Sequence, residues 1–237
     1  MTTAVVVQAR MNSTRLPGKV LMHVGGTTVL DHVLTRCGAI SGVDVVCCAI
    51  PDSASSDPIS AEARRIGAEV YRGSENDVLD RYWQAARALK ADIVMRVTSD
   101  CPLIDPRVAA EVLALRIRKN VDYACNNMPP TWPHGLDCEV MTFAWLERAA
   151  REAQAPHDRE HVTPYVRNHP DSRKANFPCP DSGVANHRWT LDTRTDLEFM
   201  QALFPRLPVG PAGWDWRAPL ALVAADPALA HVDNSRV

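Results

Sequence analysis

The sequence predicts an α/β fold: a mostly parallel sheet with crossover helices on both faces. Short β-branched runs alternate with helical patterns through the first half of the chain. The loop after the first apolar run carries three cations within ten residues, which places a functional loop at a strand's carboxyl end. The alternation breaks at a Pro-rich stretch from 124 to 142, which reads as a small insertion at the sheet's edge.

Ala4–Val7 reads as the first buried strand. Val29, Leu30, Val33, Leu34 and Cys37 recur at helical spacing, and Val43–Ile50 follows as a second strand. Ile59, Ala63 and Ile66 mark a helix closed by Gly67. Glu69–Tyr71 is a short strand, Val78–Leu89 an amphipathic helix and Ile93–Val97 a long strand. Pro106 opens a helix to about Lys119. Cys138–Met141 reads as a strand leaving the Pro-rich loop, and Phe143–Ala153 as a helix. His187–Leu191 reads as a late strand and Asp196–Leu203 as a helix. The tail from Pro205 is rich in Pro, Gly and Trp and turns helical near Leu220; Trp214 and Trp216 read as packing anchors.

Composition narrows the class. A chain of 237 residues with 46% apolar residues and a formal net charge of −2 suits a globular protein and offers no basic stripe for nucleic acid. No apolar segment reaches the roughly 20 residues that cross a bilayer, and no signal-like core precedes the first strand. Seven scattered cysteines without a Cys-x-x-Cys pair fit reduced thiols in a cytoplasmic protein, not a disulfide framework or a zinc site.

Gln8-Ala9-Arg10-Met11-Asn12-Ser13-Thr14-Arg15-Leu16-Pro17-Gly18-Lys19 holds the densest chemistry. Cationic side chains and free backbone N–H groups in such a loop suit a polyphosphate; a solvated charged loop is the bland alternative. Neither the Walker A order nor a dinucleotide fingerprint is present. Asp100 follows the third long strand directly, and Asp192 repeats the arrangement after His187–Leu191. Two carboxylates facing phosphate oxygens suit Mg²⁺, a hard ion that takes one or two protein carboxylates plus phosphates. Each Asp alone also reads as a helix N-cap, which is the better account of Asp105 and Asp196.

Taken together, these stretches resemble a known family. Gln8–Leu21, Arg72–Tyr82, Thr98–Pro106, Gly135–Val140, Arg159–Tyr165 and Arg188–Thr193 are similar, in order, to the spore coat polysaccharide biosynthesis protein F-like cytidylyltransferases. These are relatives of the CMP-KDO and CMP-sialic acid synthetases, in the nucleotide-diphospho-sugar transferase superfamily. The resemblance implies a three-layer α/β/α sandwich in one domain over 1–237, with 124–142 as an inserted acceptor or dimerisation segment. It implies that CTP and an anionic acceptor, an acidic sugar such as a nonulosonate or a small phosphonate, give a CMP conjugate and pyrophosphate with Mg²⁺. Carried over by position, Arg10, Ser13 and Lys19 hold the CTP phosphates with Arg15 as helper, beside Gln8 and Ala9. Ala49, Ser74 and Thr98 lie near the nucleoside. Asp100 and Asp192 ligate the metal, and Arg10, Lys19 and Asp100 act in catalysis. Ser99 and Asn12 depart from the small residues expected at their positions.

Arg159, His161 and Tyr165, with Asp137 and Glu139, are the acceptor-side candidates; His161 and Tyr165, four apart, are expected on one helix face. A homodimer is the expected assembly. Two rivals remain: a metal-dependent glycosyltransferase of the same fold, against which the missing Asp-x-Asp pair counts, and a non-catalytic nucleotide-binding module.

Overall fold

The computed structural model describes residues 1–210 and 213–229. The main sheet has seven strands, in spatial order Glu69–Gly73, Val45–Pro51, Thr3–Gln8, Ile93–Thr98, Glu139–Thr142, Tyr123–Cys125 and Lys174–Asn176. Its left half is built by parallel β1 (Thr3–Gln8), β4 (Val45–Pro51), β5 (Glu69–Gly73) and β6 (Ile93–Thr98). A small hairpin, β2 (His23–Val24) and β3 (Thr27–Thr28), follows the first loop. Helices α1 (Val29–Gly38), α2 (Asp57–Arg65) and α3 (Val78–Ala88) make the crossovers, and α4 (Pro106–Lys119) follows β6.

Alternation along the strands sorts the core into two layers, as a period of two requires. Val5, Val7, Met95 and Val97 pack with α1, α2 and α4 through Leu34, Ile59 and Val112. Ala4, Val6 and Val94 face the other way, onto Leu79, Tyr82 and Ala85 of α3 and Leu146 of α5 (Phe143–Glu152). The result is the expected sandwich. No helix among the described residues is long and apolar enough to cross a membrane.

The right half corrects the sequence reading. The strand expected to leave an edge insertion, β8 (Glu139–Thr142), lies inside the sheet, antiparallel to β6 and to β7 (Tyr123–Cys125), a strand the sequence reading does not mark. The edge is β9 (Lys174–Asn176), parallel to β7. His187–Leu191 is extended but makes only an isolated bridge, His134 to Arg188. His134 and Asp100 share its backbone bonds: Trp189 N–H donates to the His134 carbonyl and Leu191 N–H to the Asp100 carbonyl. His161 and Tyr165 do not share a helix. α6 (Pro156–His161) stops at Val162, whose φ is +71°, and α7 (Pro164–Asn168) starts anew. Pro164 has no N–H to continue the earlier ladder.

A third apolar cluster joins the tail to α8 (Arg194–Leu203) and α9 (Arg217–Ala225). Trp132 and Trp216 meet edge to face at 5.4 Å, and Trp214 lies under the Arg36 guanidinium. Asp105 caps α4 by accepting from the Arg107 and Val108 N–H groups. Its second oxygen accepts from the Trp216 N–H at 2.6 Å.

Candidate active site

The loop after β1 is folded back on itself. The Met11 carbonyl accepts from both Ser13 N–H and Gly18 N–H at 2.9 Å. Gly18 has φ +71°, a conformation that favours glycine, and delivers the chain into a 3-10 turn, Lys19–Leu21. Lys19 is thereby drawn beneath the carboxyl end of the sheet, with its side chain only 11% exposed. Its Nζ donates to the Leu191 carbonyl at 2.8 Å, Asp192 Oδ1 at 2.8 Å and Asp100 Oδ2 at 3.2 Å. An ammonium has three donors, and all three are used.

The two acids are held separately. Leu191 N–H on the Asp100 carbonyl ties the segment before Asp192 to the end of β6. Asp192 Oδ2 accepts from Arg188 Nη2 at 2.9 Å and pairs with Arg15 at 3.2 Å. Asp196 was expected as an N-cap. Instead Thr193 caps α8, and Asp196 completes the capping box while accepting from the Asp192 and Thr193 N–H groups. Burial pushes Asp192 upward, but hydrogen bonding and charge from Lys19, then Arg188 and Arg15, outweigh it and hold the carboxyl at about 2. Burial likewise opposes the Lys19 charge, yet Asp100 and Asp192 raise its pKa above the ordinary lysine value. Lys19 and Asp192 therefore stay ionised at neutral pH.

These groups open into a cavity of about 360 Å³. Its walls bring together Gln8, Ala9, Arg10, Ser13, Arg15 and Lys19 with Thr98, Asp100 and Asp192, residues from widely separated segments. His161 also reaches it. Two expected nucleoside neighbours do not line it. Ala49 is fully buried in β4, and the Ser74 hydroxyl accepts from the Asp77 N–H at the start of α3.

The acceptor-side candidates are dispersed. Arg159 forks onto Asp77, the α3 N-cap, and donates to the Ala150 carbonyl. Tyr165 donates to Glu152 on α5. Asp137 accepts from Gly135 N–H at 2.9 Å and pairs with His134 Nδ1 at 3.0 Å. Glu139 is 2% exposed and accepts from Arg96, Tyr123 and Thr163. Of the five candidates, His161 alone lines the cavity.

Arg81, Arg96 and Glu160 line it too and were not anticipated. A signal existed for the two arginines. Arg96 interrupts the apolar run Ile93–Val97, and Arg81 lies on the apolar face of α3 between Val78 and Tyr82. A charge at an inward position requires a partner or a ligand.

The geometry can be set beside known proteins. The family model for cytidylyltransferases matches residues 4–203. The chain belongs to the cytidylyltransferase family. This cytidylyltransferase is 33% identical over 208 residues to the spore coat polysaccharide biosynthesis protein SpsF of Bacillus subtilis, covering 85% of each chain. A cytidylyltransferase structure from Leptospira borgpetersenii superposes with a TM-score of 0.92 at 28% identity, covering 100% of this chain and 99% of that one. A CMP:2-keto-3-deoxy-manno-octonic acid synthetase complexed with CTP has a TM-score of 0.67 at 19% identity, covering 86% and 98%. The cytidylyltransferase is thus a nucleotidyltransferase by family, and its sandwich is the fold of its structural relatives.

Proposed function

We propose that this cytidylyltransferase joins CMP from CTP to a small anionic acceptor and releases pyrophosphate, with Mg²⁺ as the metal. The observation that carries the reading is the convergence of Asp100 and Asp192 on the Lys19 ammonium, beneath a loop bearing Arg10 and Arg15. The related synthetase whose structure holds CTP supports the choice of nucleotide.

The residues fit a divalent cation. Both carboxylates face one point, the Lys19 nitrogen, and two hard oxygens leave a cation's remaining positions to water and phosphate. Asp100 and Asp192 would hold it. When bound, the ion supplies charge neutralisation and orientation for the triphosphate.

The protein's own part is positional and electrostatic. In the proposed transfer an acceptor oxygen bonds to the α-phosphorus while the bond to the bridging oxygen breaks, and that oxygen leaves with pyrophosphate. Negative charge grows on the leaving group. Arg10, with Arg15 at the rim, presents a cation to it, while Lys19, its three donors held by Leu191, Asp192 and Asp100, adds fixed charge from beneath without reorganising. A carboxylate or phosphonate oxygen attacks already ionised; the anomeric hydroxyl of an acidic sugar would give its proton to solvent water as the new bond forms, a loss that a divalent cation held by Asp100 and Asp192 would ease.

The test is pyrophosphate release from each of the four nucleoside triphosphates. The acceptor panel is 3-deoxy-manno-octulosonate, N-acetylneuraminate and 2-aminoethylphosphonate, with Mg²⁺ and with excess chelator. Release that requires CTP, an acceptor and the metal supports the reading. CTP binding without release across the panel removes it in favour of a non-catalytic module.

A further inference from the structure

Helix α6 carries a pair of imidazoles that the phosphate chemistry leaves idle. His157 and His161 stand four apart in Pro156–His161, so both project from one face of the helix. Their ring centroids lie 4.5 Å apart, with the planes inclined at 51°. Both residues are exposed. Among the described residues neither imidazole has a hydrogen-bond or ion-pair partner, and each has the other ring as its neighbour. Their platform is fixed. Arg159, between them, forks onto Asp77 and donates to the Ala150 carbonyl at 2.7 Å. Val162, at φ +71°, ends the helix directly after His161. Two rings held together on a pinned turn, with their nitrogens unused, are preorganised for a shared ligand.

We propose that His157 and His161 form a two-imidazole chelate for a borderline divalent cation of the Zn²⁺ or Cu²⁺ class, with water completing its shell. Helical histidines four apart are the spacing by which two imidazoles share a zinc ion. Two nitrogens bound at about 2.0–2.1 Å to one tetrahedral ion lie roughly 3.4 Å apart. Rings centred 4.5 Å apart meet that span by small side-chain rotations. No group of three or more His, Cys, Asp and Glu among the described residues is placed to hold a metal ion, so water supplies the other positions. The surrounding charges accept a dication. At His161 the Glu160 carboxylate acts more strongly than either Arg96 or Arg167. Arg96 is itself paired with Glu139, and Arg159 with Asp77. The chelate differs in chemistry from the acid pair: two hard oxygens suit Mg²⁺, whereas imidazole nitrogens suit Zn²⁺, Cu²⁺ and Ni²⁺. Glu160 and His161 line the cavity, so an ion on the chelate adds positive charge at its wall. The chelate is independent of the transfer reaction proposed above.

Zn²⁺ alone is the probe, titrated into the intact protein without nucleotide, under excess Mg²⁺ and a non-thiol reductant. Calorimetry reads the affinity. The imidazole Cε1–H NMR signals of the pair are assigned by their loss in His157→Asn and in His161→Asn. Both positions are exposed, and matching circular dichroism and thermal unfolding show that the variants keep the parent's fold. The expected result is that the two signals move together and saturate with one equivalent of Zn²⁺, and that either substitution weakens zinc binding at least tenfold. Equal zinc binding in the parent and both variants puts the ion elsewhere, on the half-buried Cys179 thiol for example, and overturns the chelate. Weakening in one variant only means a lone imidazole ligand and overturns it as well. So does zinc that excess Mg²⁺ displaces, since that ion sits on the carboxylates. No turnover enters the measurement: a negative result leaves the transfer reading standing, and a failure of pyrophosphate release leaves the chelate standing.

Discussion

Lys19 Nζ lies 2.8 Å from Asp192 Oδ1, a bond between residues 173 positions apart that closes the first loop onto the segment leading to α8. Replacing Lys19 with Met leaves Asp100 and Asp192 facing each other without a cation between them. Removing one partner of a buried pair costs several kcal/mol; with side chains 18% and 25% exposed, about 1–3 kcal/mol is expected. Pyrophosphate release should fall by about 10²-fold or more. Urea unfolding and steady-state kinetics measure the two effects. Lys19→Arg should not restore activity, because a planar fork cannot reach three acceptors as an ammonium does.

Asp100→Asn separates chemistry from folding. Lys19 keeps Asp192 and the Leu191 carbonyl, so the unfolding free energy should stay within about 1 kcal/mol of the parent. Turnover should drop by roughly 10²–10³-fold, the usual scale for losing one charged group at a reacting phosphate. A variant that melts normally and still turns over substantially removes Asp100 from the mechanism.

Gly135→Ala should be severe. Gly135 has φ +115°, and a Cβ there would meet the Trp189 carbonyl oxygen at 2.5 Å. That carbonyl belongs to rigid backbone beside the segment that positions Asp192. A loss of about 2 kcal/mol or more in stability is expected, along with reduced activity in the fraction that remains folded. Thermal unfolding and active-site-normalised kinetics are the readouts.

His32 gives a pH signature. Burial lowers its pKa despite the bond to the Val24 carbonyl at 2.8 Å, and the ring lies 4.2 Å from Phe204. The unfolded chain takes up a proton below about 6.5 that the folded chain resists until lower pH. The His32 contribution is therefore complete above the unfolded value and lost as pH falls below it. Unfolding free energies at pH 7.5 and 5.5 should differ more for the parent than for His32→Gln. Equal slopes would show that the ring titrates alike in both states.

Local signals carried much of the architecture. Asp105-Pro106 at the start and Asn120, with φ +47°, at the end bound α4 where the spacing predicts it. The first loop and Asp100 were legible because each follows a buried strand directly, and Asp192 because it follows an apolar run, although that run joins no strand. Partnership across the chain was not legible. β8 reads as a strand leaving the Pro-rich loop, but nothing local says that β6 and β7 flank it. Arg159 shows a cation without showing Asp77, 82 residues away, which occupies it. Arg96 was passed over because an apolar run averages out one charge, although that charge is what the strand displays to the cavity.

The Trp216 amide bound to Asp105 gives the far end of the polypeptide a say in the centre. Asp105 stands five residues after Asp100 and is fully enclosed, so shortening the protein before Trp216 would strand one of its oxygens in a dry interior. Damage at the tail would then be felt as misalignment of Asp100, well before the sandwich itself came apart.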